Sequence, residues 1–221
     1  MITKNLQTLH SDIPHNVQLI AVSKTKPFSD IQVAYDAGQR DFGENKVQEL
    51  VEKSLILPTD IRWHLIGHLQ TNKVKYIAPF VHLIHAVDSI KLLKEINKQA
   101  KKHERNINCL LQFHIAQENT KFGLSLLEAK EIVNSPDFLQ LENVKICGVM
   151  GMASFISDQE AITNEFKKLK EIFSELKLTC FLSNENFNEI SMGMSGDYDL
   201  AIQEGSTMIR VGSKIFGHRN Y

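Results

Sequence analysis

Short apolar runs alternate along this chain with longer stretches whose apolar residues recur at threes and fours. The runs are VQLIAVS, RDFGEN, IRWHLIG, HLIHAVD, INCLLQFHI, VKICGVMGM, NEISMGM and TMIRVGSKIFG. Several are apolar almost throughout instead of strictly alternating, the pattern of strands covered on both faces in a parallel sheet. The stretches between them read as helices. Ser157 and Glu160 stand at capping-box spacing, and Ile162, Phe166, Leu169, Phe173 and Leu176 follow as one buried face. Ser125 and Glu128 open another such segment, and Leu92, Leu93, Ile96 and Ala100 line a third. Gly38 and Gly205 fall where a helix should stop and turn into the next strand. A short helix over about residues 1–12 precedes the first run.

Eight strands alternating with helices predict a (β/α)8 TIM barrel. Such barrels typically take about 250 residues. The 221 residues here therefore predict one domain over 1–221, with the last strand ending near Gly217 and no room for a second domain. A complete barrel of this kind leans towards a monomer.

Composition narrows the function classes. The chain is 43% hydrophobic and 23% charged, with a formal net charge of −1. Such a balance gives no strong field to draw the protein to nucleic acid or to an anionic membrane. No apolar run approaches the roughly 18 residues of a membrane span, and MITKNLQTLHSDIPH lacks the apolar core of a signal peptide. Cys109, Cys147 and Cys180 are odd in number and far apart, which reads as reduced thiols in a cytoplasmic protein. No metal site is expected. His64 and His68 have a spacing that joins ligands only on a helix, and His82 and His85 lie on opposite faces of one strand.

In a TIM barrel the C-terminal ends of the strands face the active site. The polar residues there are Lys24, Glu44, Asn45, His64, Asp88, His114, Ser195, Gly212 and Ser213. Lys24 ends strand one, where desolvation favours a neutral amine able to attack a carbonyl; the alternative is a lysine whose stem lies on apolar surface while its head reaches water. Lys26 shares its parity, and Pro27 marks the exit into the loop. At the far end, SMGMSG and RVGSKIFG follow strands seven and eight. Their small residues let backbone N–H groups approach an anion, and barrels often build a phosphate site in these two loops. Together with the lysine, they point to a phosphorylated carbonyl ligand.

Five motifs carry a family resemblance: AVSKTKP, DFGENKVQE, WHLIGHLQTNK, SMGMSGDYDLAI and GSTMIRVGSKIFG. In order from about residue 18 to 217, the chain resembles the YggS/PROSC family of pyridoxal 5′-phosphate-binding proteins. The resemblance implies the fold type III barrel of the alanine racemase N-terminal domain without the racemase β domain, and a cofactor held as a Schiff base on Lys24. It implies Ser191, Gly193, Ser195, Gly212 and Ser213 around the phosphate, and Asn45 and His64 near the ring. His64 reads equally as a core histidine bonded to backbone. Arg210 would meet either the phosphate or the pyridine nitrogen, and Lys121 resembles a family lysine in the loop after strand five. The family is regarded as non-catalytic, acting in vitamin B6 homeostasis, and apo-enzymes that use the cofactor are its candidate recipients. A minimal amino-acid racemase and a lysine aldolase acting on a phosphorylated sugar are the alternative readings.

Overall fold

Eight parallel strands pair in chain order, and the eighth pairs with the first to close a barrel. The structure is a computed structural model that describes residues 1–116 and 122–217; Lys121 lies outside them. The strands are β1 (Gln18–Val22), β2 (Asp41–Glu44), β3 (Arg62–Leu65), β4 (Leu83–Val87), β5 (Ile107–Phe113), β6 (Val144–Gly151), β7 (Glu189–Met194) and β8 (Met208–Val211). The helices of the first half are α1 (Ile2–Asp12), α2 (Phe28–Asp36), α3 (Val47–Ile56), α4 (Val74–Ile77) and α5 (Ile90–Lys102). Those of the second half are α6 (Leu126–Val133), α7 (Pro136–Leu139), α8 (Gln159–Thr179), α9 (Tyr198–Gln203) and α10 (Ser213–Phe216). The predicted (β/α)8 class holds.

Outward-facing strand residues such as Phe42, Ile84, Leu111 and Ile209 bury themselves under the helices and form the main core. Inside the barrel, Leu83, Ala86, Leu110, Cys147, Met150 and Met208 make a second, smaller apolar cluster. It fills one side of the interior, and the other side is polar.

Several local expectations are met, and two are corrected. Ser125 and Glu128 form a reciprocal capping box at the start of α6, and Gly38 and Gly205 take positive φ values after α2 and α9. The long helix α8, by contrast, is capped by Asp158 and not by Ser157. The Asp158 carboxylate accepts from the N–H groups of Glu160 and Ala161, and its charge suits the positive end of the helix dipole. The last strand stops at Val211, six residues before Gly217. The chain turns there because the Gly212 carbonyl accepts from the N–H groups of Ile215 and Phe216 and winds residues 213–216 into one helical turn.

That turn is too short to cover its share of the barrel wall. Helix α1 fills the place, packing between α2 and α10, and Asn5 donates through Nδ2 to the Ile215 carbonyl at 2.9 Å. Leu6 and Leu9 supply its buried face.

Phe166 on α8 is fully buried, whereas Leu139 is 76% exposed. Phe166→Ala is expected to lower the unfolding free energy by about 3–5 kcal/mol, and Leu139→Ala by less than about 0.5 kcal/mol. Urea denaturation of both variants against the wild type measures the difference.

Candidate functional site

At the C-terminal mouth of the barrel lies a cavity of about 880 Å³, walled by residues from β1, β2, β3, β5, β6, β7 and β8 or the loops that follow them. Its size falls within the roughly 300–1,000 Å³ of small-molecule sites. Lys24, Asn45, Ser195, Arg210, Gly212 and Ser213 all line it. Lys26, His68, Gln112 and Lys214 join them in the wall; nothing in their spacing marks His68 and Lys214, whereas Gln112 shares the inward parity of Leu110 on β5. Four cationic side chains thus meet around one hollow. A smaller hollow of about 420 Å³ near the start of α8 is lined by Asp158, Glu160 and Glu165 with Lys168, a set that repels an anion.

Lys24 is not the last strand residue. Strand β1 ends at Val22, and residues 23–26 form a tight turn closed by the Lys26 N–H donating to the Ser23 carbonyl at 3.0 Å. Thr25 takes φ +66°, in a turn position that normally favours glycine. For a β-branched residue this conformation costs on the order of 1–2 kcal/mol. The inward parity of β1 still carries Lys24 to the cavity, because Ile20, Val22 and Lys24 fall on one side of the extended chain. Lys26 belongs to the rim, where its Nζ donates to the carbonyls of Phe216 and Gly217 at 3.1 and 3.3 Å.

Beside this turn, after the neighbouring strand β8, the Gly212 N–H donates to Ser195 Oγ at 3.1 Å, which joins the loops after β7 and β8. A Cβ on Gly212 would stand 3.0 Å from the Val22 carbonyl oxygen, so glycine lets β8 close against β1 here. Gly193 serves differently. It has φ +94°, and a Cβ there would meet the Ala201 Cβ at 2.7 Å; the glycine lets α9 pack tightly, and its own atoms do not wall the cavity.

His64 and Ser191 lie beneath the cavity, fully buried, in a polar chain that crosses the barrel interior. Arg210 donates to Ser191 Oγ at 2.6 Å and to the Gly151 carbonyl at 2.9 Å. Ser191 meets His85 Nδ1 at 2.9 Å, His85 Nε2 meets His64 Nδ1 at 3.0 Å, and His64 Nε2 meets Asp41 Oδ1 at 3.0 Å. Asp41 is held in turn by Arg62 through two bonds of 2.7 and 2.5 Å. An arginine can only donate and a carboxylate can only accept. With neutral imidazoles one proton arrangement then satisfies every atom: the Ser191 hydroxyl donates to His85, His85 donates from Nε2 to His64, and His64 donates from Nε2 to Asp41. His64 is therefore a core histidine, but bonded to side chains and not to backbone.

The charges follow from burial and these bonds. Burial lowers the Arg210 pKa to about 10 although Asp197 acts to raise it, so the guanidinium stays charged at neutral pH. Burial would raise the Asp41 carboxyl, but bonds from His64 and Arg62 outweigh it and hold the group well below the usual carboxylate range. Burial drives the His85 pKa well below that of a free imidazole, helped by the positive field of Arg210. The remaining polar strand-end residues lie elsewhere. Glu44 points outward towards α3, bonded to Lys53, Asp88 pairs with His68 at 3.5 Å, and His114 is not in the wall.

Comparison with known proteins shows the family and the fold. The family description "Alanine racemase, N-terminal domain" fits residues 1–220. The pyridoxal phosphate homeostasis protein of Aquifex aeolicus (strain VF5) is 38% identical over 205 residues, covering 92% of this chain and 88% of that one. The chain belongs to the pyridoxal phosphate homeostasis protein family. The structure of PipY from Synechococcus elongatus with pyridoxal phosphate bound superposes with a TM-score of 0.88 at 37% identity, covering 98% of this chain and all of PipY. Alanine racemase from Bartonella henselae shares the fold alone, with a TM-score of 0.72 at 16% identity. The chain spans 60% of that racemase.

Because His85 is neutral when buried, acid should cost stability. The unfolded chain takes up a proton below about pH 6.5 that folded His85 does not, so stability is complete above that pH and falls as pH drops through it. Urea unfolding at pH 7 and pH 5 is expected to show a loss of up to about 1.4 kcal/mol per pH unit from this site. His85→Gln should flatten the profile.

Proposed function

We propose that the protein binds pyridoxal 5′-phosphate in the barrel mouth as a Schiff base on Lys24 and serves intracellular balance of this cofactor without turning over a substrate. The observation that carries the reading is the convergence of Lys24, Lys26, Lys214 and Arg210 on one cavity that the Ser195–Gly212–Ser213 corner also lines. Pyridoxal phosphate supplies an aldehyde that condenses with a primary amine and releases water.

The remaining roles follow from position. Ser195, Gly212 and Ser213 offer a hydroxyl and small-residue backbone to the phosphate. Asn45 and Arg210 both line the cavity, where Asn45 would hold the ring substituents and Arg210 would meet the ring. A charged guanidinium beside a pyridine nitrogen would hold that atom unprotonated and make the ring a weak electron sink. His64 and Ser191 act from behind, through Arg210, and Gly193 acts through the packing of α9.

The non-catalytic assignment draws on the family and on chemistry. The Aquifex relative is named for homeostasis. A racemase needs an acid–base group on each face of the substrate carbon, and the racemase of Bartonella henselae is matched over only 60% of its length. We assign residues 1–221 to one cofactor-binding domain, monomeric and cytoplasmic, that limits free aldehyde and passes it to apo-enzymes. Among the described residues no helix is long and apolar enough to cross a membrane.

The protein purified with pyridoxal phosphate is expected to be yellow, with an absorbance band that borohydride fixes irreversibly and that Lys24→Ala abolishes. A Lys24→Ala protein keeping the same band refutes the assignment. Solvent deuterium exchange at the α-carbon of added amino acids, followed by NMR, should not exceed that of free cofactor; Lys24-dependent exchange above it makes the protein an enzyme.

A further inference from the structure

We propose that Lys53 is a positioning residue for the amine of Lys24, and that with Glu44 and Glu49 it clamps the turn that carries that amine. The proposal rests on Lys24 being the amine that binds the ligand. Neither Lys53 nor the two carboxylates line the cavity; they lie behind it, between β2 and α3.

The Lys53 side chain is 4% exposed and its ammonium makes three bonds. It donates to Glu44 Oε1 at 2.7 Å, to Glu49 Oε1 at 2.7 Å and to the main-chain carbonyl of Ser23 at 2.8 Å. The same two carboxylate oxygens reach the residues on either side of Lys24. Glu44 Oε1 accepts from Ser23 Oγ at 2.6 Å, and Glu49 Oε1 accepts from the Thr25 N–H at 2.5 Å. Every arm of the cluster therefore ends on the residue before or the residue after Lys24.

Stability alone does not account for such a cluster. Taking an ion pair out of water costs about as much as the pair returns, and apolar side chains of similar volume often serve a core as well. Here one carboxylate oxygen, Glu44 Oε2, is buried without a hydrogen-bond partner among the described residues, a further cost the fold tolerates. What the cluster achieves is local: it fastens a turn whose Thr25 sits at φ +66°, a conformation a β-branched residue holds only when its surroundings impose it. Strained backbone held from outside is how a side chain is kept within the narrow geometry that a condensation needs.

The cluster also sets charge near the amine. It brings two carboxylates and one ammonium behind the turn, while Lys26, Arg210, Lys214 and His68 share the cavity in front. Removing Lys53 leaves negative charge uncompensated and favours the ammonium form of Lys24. Removing Glu49 does the opposite.

The test compares full-length wild type, Lys53→Met, Lys53→Arg and Glu49→Ala. Hydrogen–deuterium exchange without ligand is expected to be at least about fivefold faster at the Thr25 amide in Lys53→Met and Glu49→Ala, the loss of roughly one hydrogen bond. In titrations with pyridoxal phosphate followed by absorbance, the pH midpoint for Schiff-base formation should rise in Lys53→Met, recover in Lys53→Arg and fall in Glu49→Ala. A rate loss of about tenfold or more at pH 7 should accompany Lys53→Met. Should Lys53→Met fail to fold, Glu49→Ala decides by the same readouts, since the Glu49 side chain is 22% exposed. Wild-type exchange and an unmoved midpoint in a folded variant overturn the proposal. A wild type that forms no Schiff base refutes the reading of Lys24 instead, and the ligand-free exchange still decides the clamp.

Discussion

A guanidinium shut inside a barrel must have its donors met, and much of this interior is arranged around that demand. Arg210 is 4% exposed, and a buried charge without partners costs several kcal/mol. The Gly151 carbonyl and Ser191 answer part of the need, and Ser191 passes the polarity on through His85 and His64 to Asp41. The interior is accordingly split, with methionine, leucine and cysteine on one side and this polar chain on the other. Remaining donors of Arg210 are left for the cavity above. The barrel thus keeps a fixed positive group beneath its mouth that solvent does not screen.

The fold was legible because its signal is distributed over the whole chain. Eight apolar runs and three helical faces agree on one architecture, and no single error in a run can undo it. What sequence reading mistook were boundaries. Isoleucine and phenylalanine after Gly212 look like more strand, and only the bonds back to the Gly212 carbonyl reveal a helical turn. Ser157 and Asp158 are both good caps, and periodicity does not choose between them.

The site was legible where it follows strand parity and hidden where it depends on reach. Lys24, Asn45 and Gly212 follow from their place at strand ends, and Arg210 from a family motif. His68 and Lys214 belong to the wall through the loop after β3 and the helical turn α10, paths that spacing does not encode, and Gln112 is an inward residue of β5 that lies one position before its end. His64, Ser191 and Gly193 carry family motifs, and a motif does not distinguish an atom facing the cavity from one supporting it from behind. Glu49 and Lys53 stand four apart on a helix, a spacing that ordinarily means a solvated ion pair of small worth; only their burial shows otherwise. The racemase comparison makes the complementary point, since at 16% identity the barrel persists while the use made of its mouth is a separate matter.

The seam between β1 and β8 joins the most distant parts of the chain. Lys26 meets the Phe216 carbonyl across 190 residues, and Asn5 meets Ile215 across 210. Contacts of such separation are entropically expensive to form and weigh heavily on folding rate. The cavity straddles this seam, with Lys24 on one side and Gly212 and Ser213 on the other. A ligand that grips both sides is therefore a staple across the longest loop in the molecule, and its affinity adds to the cohesion of the barrel by mass action. Loading and barrel closure are one linked equilibrium.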